Sequence, residues 1–546
     1  MKRNYLYLLL SFIPGVVQAI NIEITPYARD LFVDNVYDKF AQLTFPSNLN
    51  EVDTATFLWE GRAISLPLYY REYRSDENFG VVYQNDSMSL SLSVYQGDII
   101  GHFIGHNFSY DIGTDEAGSF LYYLSSYDEI EDVSQDDNNG NGIAESTSNL
   151  RYNDEEIRVL VLYASSISNS FKNNIVNNVN NAILDANTSF VNSGISTRLE
   201  LAYVGETSYT CVNTRTDLDR FIDKSDGYMD EVHALRNLFY ADICVLLINQ
   251  IERHCGMSYL TVNDTLAFSV VMAENLSCLN RHSFAHEIGH LIGCRHDSIV
   301  PNRGWYYPYA HGYVNEDNSW CTIMAYDLNG CVRIPYWSNP NKYYYGEAMG
   351  NETFCNNTRL WNERWQTLAN FRVTPSSMSW SLDLIPYMNL NPDYYSFTAN
   401  STINMVGASV LGTECLLEAG EEVRLTSGFH AVPGSTVTIR TTPSNACSAP
   451  AILREYEKAV SISTDLNGYG AIVDFSLSLT PNPATDKIAI SGPEPLAAAM
   501  IYNLGGQLVL QATETEINVS ALPAGVYVVH AQTSNGQQLQ AKFVKL

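Results

Sequence analysis

The string His286-Glu-Ile-Gly-His-Leu-Ile-Gly-Cys-Arg-His296-Asp297 constrains this chain more than any other feature it carries. At ~100° per residue the spacing predicts a helix on which His286 and His290 stand about 40° apart on one face. Phe284, Ile288, Leu291 and Ile292 gather on roughly the opposite face, so one side packs while the other presents imidazoles. Gly293 suits the positive φ that ends a helix and turns the chain. That turn lets His296 approach the same point from another direction. Two imidazoles one helical turn apart and a third beyond a glycine match a tetrahedral zinc ion held by three protein ligands, with the fourth position left for water. Glu287 adjoins a ligand without being one. A carboxylate so placed is expected to act as general base on the attacking water.

Composition narrows the partners. The chain has 546 residues, 45% of them apolar and 17% charged, enough to bury several cores. Lys plus Arg number 31 against 60 Asp plus Glu, a formal charge of −29, which argues against electrostatic nucleic-acid binding. Lys2 and Arg3 precede an apolar stretch from Tyr5 to Val17 and a small-residue pattern at Val17-Gln18-Ala19, predicting a signal peptide over 1–19. No later run is apolar for about 18 residues, so no transmembrane segment is expected. All ten cysteines lie at or beyond Cys211, eight of them up to Cys355, with Cys415 and Cys447 following. Even counts in each block point to disulfides formed in an oxidising compartment. Cys415–Cys447 is the expected pair of the second block. Cys255–Cys278 and Cys321–Cys331 are candidates in the first, where many other pairings remain open.

Five segments follow from the texture of the chain. After the signal peptide, residues 20–150 alternate polar and apolar positions in short strand-like runs such as Ser87–Tyr95. They end in the acidic, turn-rich string from Gln135 to Gly142, expected to be a cleavable linker. Asp137, Asn139, Asn141 and Gly142 mimic the start of a calcium loop, yet Ser148 stands where an acidic ligand belongs; Ca2+ stays open as a second ion. Residues 151–374 alternate apolar strands (Ile157–Tyr163, Leu199–Val204, Ile243–Ile248) with helical stretches (Phe171–Val191, Asp217–Tyr240, Asn362–Phe371), which predicts an α/β domain. Residues 375–470 return to β character as a small module, and 475–546 form a last β block with tight turns.

The zinc motif with its glycine turn resembles that of the metzincin metallopeptidases, as does a Met-turn at Thr322-Ile-Met-Ala-Tyr326. The resemblance spans residues 151–374. It implies a zincin-like fold, Met324 beneath the metal, and Tyr326 near it to bind zinc or steady an oxyanion. Asp297 after the third histidine is similar to the reprolysin (adamalysin-like) branch, while Tyr326 is similar to the astacin and serralysin branches. Cys255–Tyr259, Ala267–Val271 and Arg333–Pro340 look most like the bacterial reprolysin-like peptidases, including those that cleave beside aspartate. The same resemblance implies that Ala267–Ala273 is the edge strand that holds an extended protein or peptide substrate by strand addition. Trp305–Tyr313 and Ile334–Trp337 would then wall the pocket beyond the scissile bond. Arg333 is expected to be a solvated arginine rather than a selector of acidic side chains. His254, His282 and His311 are expected to be structural.

The C-terminal block, with Pro481–Asp486, Gly505-Gly506 and Leu522–Val529, resembles the sorting domain of the type IX secretion system. Taken together, the expected fold class is an α/β zincin-like catalytic domain with a mostly-β propeptide-like domain before it and C-terminal β-sandwich modules after it. The expected function is that of a secreted or cell-surface zinc endopeptidase, monomeric, with one catalytic ion and the type IX machinery as partner. The first domain is expected to inhibit and to be removed. It has no cysteine, so a cysteine latch is excluded; His102, His106 or a carboxylate are candidates to cap the metal, with surface positions as their ordinary reading. The alternative function is a surface adhesin with an incidental peptidase domain.

Overall fold

The computed structural model describes residues 19–26, 37–45, 49, 53–59, 62–75, 78–105, 108–115, 118–124, 133–135, 156–249, 255–260, 263–273, 278–297, 307–317, 319–326, 331–381, 392–406, 409–410, 414–425, 429–431, 435–441, 457–463, 478–480, 484–491, 496–503, 508–523, 525–533 and 538–545. The chain forms two units, residues 1–461 and 462–546. Most of the signal-peptide segment, the linker string beyond Gln135, and His106, His254, Trp305 and Cys447 lie outside the described residues.

The alternating runs near the N-terminus form nine strands: β1 (Ala19–Pro26), β2 (Tyr37–Thr44), β3 (Thr54–Trp59), β4 (Arg62–Ser75), β5 (Asn78–Gln84), β6 (Ser89–Tyr95), β7 (Asp98–Gly105), β8 (Phe108–Asp115) and β9 (Gly118–Leu124). They close into a barrel because β1 pairs antiparallel with β2 and parallel with β3. Closure leaves no exposed edge, and Phe57, Leu66, Val81, Leu92 and Phe103 fill the interior. A short strand β10 (Val133–Gln135) follows.

The α/β domain begins with β11 (Glu156–Ala164), whose near-continuous apolar run is buried on both sides of a sheet. A one-turn helix α1 (Asn169–Lys172) leads into α2 (Ile175–Ser193), then come β12 (Arg198–Thr207), α3 (Thr214–Ile222), α4 (Glu231–Leu238) and β13 (Ile243–Ile248). The helix expected over Asp217–Tyr240 is thus two helices. Asp223 leaves helical geometry and Gly227 has φ +86°, so the polar Ser225-Asp-Gly stretch breaks it. Two further strands, β14 (Gly256–Tyr259) and β15 (Phe268–Met272), complete the side nearest the histidines.

β12, β11, β13 and β15 run parallel, and β14 pairs antiparallel with β15. This corrects one expectation. The apolar 267–273 segment is an interior strand, flanked by β13 and β14, and β14 lies outside it. Burial of all five β15 residues fits that place. On the far side, Tyr394–Ala399 pairs antiparallel with β12, and Glu414–Ala419 and Thr436–Thr441 add to it. Strands from the region expected as a separate module therefore extend the same sheet.

Helix α2 lies between sheet and barrel. Val179, Ile183, Ala186 and Phe190 enter the main core, while Leu184 packs against Tyr70 and Val82 of the barrel. Two of its asparagines reach barrel partners: Asn177 donates to Asp98 O (3.1 Å), and Asn180 to Asn78 Oδ1 (3.3 Å). The second unit contains one three-stranded and one four-stranded sheet that share a core of Ile488, Ile501, Ile517 and Val529. Among the described residues no helix is long and apolar enough to cross a membrane.

Candidate metal centre

Helix α5 (Phe284–Ile292) carries the histidine motif, and Phe284, Ile288, Leu291 and Ile292 pack into the main core as the pattern requires. Gly293 ends it with φ +104°. The chain then turns back and His296 meets His286 and His290. The three Nε2 atoms form an almost equilateral triangle with edges of 3.1 Å. Ligands on a tetrahedral ion with bonds of about 2.0–2.1 Å stand roughly 3.3 Å apart, so the triangle has the right size.

The outer nitrogens decide which tautomer is present. His286 Nδ1 donates to Ile323 O (2.8 Å) and His290 Nδ1 to Cys294 O (2.9 Å). A carbonyl can only accept, so these nitrogens hold the protons and leave lone pairs on Nε2. Protonation at the centre is opposed as well. Burial, with repulsion between the rings, pushes His286 and His296 well below the usual imidazole range, and burial takes His290 down to about 4. Two rings with inward-facing Nε2 lone pairs, joined by the His296 Nε2, form a cluster that could hold a metal ion. Among the described residues this is the one cluster of histidine, cysteine and carboxylate groups that could hold a metal.

Glu287 is fully buried beside the triad, and Ser258 Oγ of β14 donates to its Oε2 (2.6 Å). A Cβ at Gly256 would lie 2.7 Å from Glu287 Cγ and 2.7 Å from Val270 O, so only glycine lets the strand come this close. The Met-turn lies against α5. A Cβ at Gly289 would stand 2.6 Å from Met324 Sδ and 2.7 Å from the Trp337 ring. Tyr326 packs its ring on His296, with centroids 4.0 Å apart, and its N–H donates to Asp297 Oδ1 (3.2 Å). Behind His296, His311 Nδ1 donates to the His296 carbonyl (2.7 Å).

All six residues singled out from the sequence, His286, Glu287, His290, His296, Met324 and Tyr326, thus converge. Sequence reasoning missed the contributions of Ser258 and Gly256, which lie 29 and 31 positions before Glu287 and carry no local signal of their role. His282 is buried outside the triad, and burial pushes it down to about 4. His102 is neither a metal cap nor a surface residue. It is buried at the barrel–α2 contact, bonded to Asp185 and lying 3.4 Å from Asp111. Cys255–Cys278 and Cys321–Cys331 are disulfides. Pairing does not extend further among the described residues: Cys244, Cys294 and Cys355 are buried thiols, and so is Cys415, the expected partner of Cys447; burial raises all four above the usual range.

Residues 153–338 match the profile of metallopeptidase family M12, and residues 478–545 match that of a secretion system C-terminal sorting domain. The sorting domain marks the chain for secretion or the cell surface. A peptidyl-Asp metalloendopeptidase of Stenotrophomonas maltophilia is 36% identical over 267 residues, covering 48% of this chain and 63% of that protein. One from Xanthomonas campestris is 38% identical over 218 residues, covering 40% and 52%. A third, from Pseudomonas fragi, is 34% identical over 191 residues, covering 34% of this chain and 100% of that sequence. The chain therefore spans about two thirds or less of the first two relatives. The crystal structure of metalloproteinase-II from Bacteroides fragilis shares 10% identity over 52% of this chain and 86% of that one, with a TM-score of 0.30, too low to argue from.

Proposed function

The chain belongs to metallopeptidase family M12, and from that premise we propose that it is a secreted zinc endopeptidase acting on extended polypeptides. The observation that carries this reading is the 3.1 Å triangle of imidazole nitrogens with a buried carboxylate on the residue after His286. His286, His290 and His296 would hold one zinc ion, and the chemistry it would supply is that of a Lewis acid toward a peptide carbonyl and water. Glu287 takes the proton of the attacking water and returns it to the departing amine. Ser258 steers that carboxylate by donating to its Oε2. Met324 and Trp337 hold the helix rigid from below, and Tyr326 braces His296.

The substrate lies along the outer side of β14, where backbone groups add a strand beside Ser258 and Glu287. In the intact chain β10 holds that place, pairing Val133, Ser134 and Gln135 with Met257, Ser258 and Tyr259. One strand edge accepts one partner, so residues 20–150 act as a propeptide that keeps the enzyme latent until cut. The divisions 1–19, 20–150, 151–374 and 475–546 follow the same logic of signal, latch, catalysis and export, while strands of 375–470 extend the catalytic sheet. The enzyme works as a monomer and meets the type IX machinery through its C-terminal domain. The specificity named for its relatives extends to this chain as cleavage beside aspartate. The adhesin alternative draws support from none of these observations.

An internally quenched peptide with blocked ends tests the reading. Cleavage by the secreted protein, abolished by a chelator, restored by zinc, and lowered about 10²–10⁴-fold in Glu287→Gln, is the expected result. Undiminished turnover in Glu287→Gln would overturn it.

A further inference from the structure

A half-buried arginine lies close to the histidine triad. Arg333 belongs to a two-residue strand, Val332–Arg333, whose partner is Trp320–Cys321, with Cys321 opposite Arg333. The segment is stitched around the Met-turn: Ile334 N–H donates to Cys321 O (2.8 Å), and Ile323 N–H donates to Tyr336 O (2.9 Å). Ile323 is the residue whose carbonyl orients His286. The Arg333 Nη2 donates to Ala325 O (3.1 Å), one residue before the tyrosine that packs on His296. The guanidinium is thereby fixed on the wall that the Met-turn raises beside the triad.

A guanidinium held on the Met-turn attracts an anionic side chain. The chain as a whole supplies the opposite bias. At −29 it repels acidic peptides, so any that bind must meet a local positive site. A planar guanidinium, with its paired N–H groups, suits a carboxylate better than any other side chain.

We propose that Arg333 is the specificity-determining residue, binding the carboxylate of an aspartate that adjoins the scissile bond. The proposal rests on the endopeptidase reading above and adds the residue that would select its substrate. It replaces the expectation of a solvated arginine. The competing role is purely architectural, with Arg333 serving only to clamp the Ala325 carbonyl.

The test compares kcat/KM for two quenched peptides that differ only by Asp or Asn at the cleavage position, using the protein as secreted. Wild type is expected to favour Asp. Arg333→Gln keeps an N–H that can reach Ala325 O but loses the charge, and should lower the Asp-to-Asn ratio about a hundredfold while the Asn peptide changes only a few-fold. Arg333→Lys should recover part of the ratio, having charge without the fork. Because the ratio is internal to each preparation, a partly misfolded variant does not disturb it. An unchanged ratio in Arg333→Gln, or an equal loss on both peptides, overturns the proposal. A wild type that cuts both peptides alike overturns it too, leaving the endopeptidase reading intact, whereas a wild type that cuts neither removes the reading itself.

Discussion

Two sets of buried histidine in this molecule have opposite electrostatic fates. The triad rings and His102 are all almost completely withdrawn from solvent. Around His286, His290 and His296 burial comes first and the Arg333 charge adds to it, and the rings are driven toward the neutral form. Burial presses on His102 in the same way, but Asp185 and Asp111 outweigh it and raise the imidazole to about 10. Ser91 Oγ adds a hydrogen bond to Asp185 Oδ1 (3.2 Å), and the Asn181 amide lies 2.9 Å from His102 Nε2. Burial therefore does not decide whether a histidine is charged; its partners do. One set is a cage of lone pairs for a cation, and the other is itself the cation that joins the barrel to α2.

The largest expected effect breaks the first set. His290→Ala should lose the bound metal and reduce peptide cleavage to background, read by elemental analysis and turnover of the quenched peptide, while the His102 cluster and the barrel contact stay intact. Next comes the second set. His102→Ala leaves Asp111 and Asp185 buried without their cation and should cost about 3–5 kcal/mol in urea unfolding of the full chain. The metal content should not change. If His102→Ala lost zinc instead, the two sets would not be separable.

A pH series sharpens the same contrast. Because His102 is raised from about 6.5 to about 10 on folding, its contribution is complete below pH 6.5 and is lost as pH climbs through 10. Asp111, Asp185 and the neighbouring His282 all face it, so His102→Gln is the control. Wild-type stability should fall between pH 7 and 10.5 by more than that of the variant, as followed by denaturant midpoints. A parallel decline in both would assign the loss to other groups. The smallest expected effect is that of Ser258→Ala, which removes one hydrogen bond from Glu287 and should lower kcat about tenfold with KM nearly unchanged.

The same two regions measure how far the sequence could be read. His286, Glu287 and His290 lie within a single helix, and one glycine turn delivers His296, so periodicity and one backbone preference were enough to assemble the triad. His102 and Asp185 are 83 positions apart and meet only because the barrel docks on α2. No local pattern announces such a pair, and an isolated histidine in a strand is ordinarily a surface residue. Strand position failed for a related reason. The apolar run at 268–272 identifies a strand, but whether it lies inside the sheet depends on β14, a four-residue element with little pattern of its own. Closure of the barrel depends on the parallel β1–β3 pairing, which joins segments separated by β2 and likewise leaves no local trace.

Crystals of the secreted protein, measured on both sides of the zinc absorption edge, test the central claim most directly. The account predicts one anomalous peak about 2.0–2.1 Å from the Nε2 atoms of His286, His290 and His296. No peak there, or one whose ligands exclude these imidazoles, would contradict it.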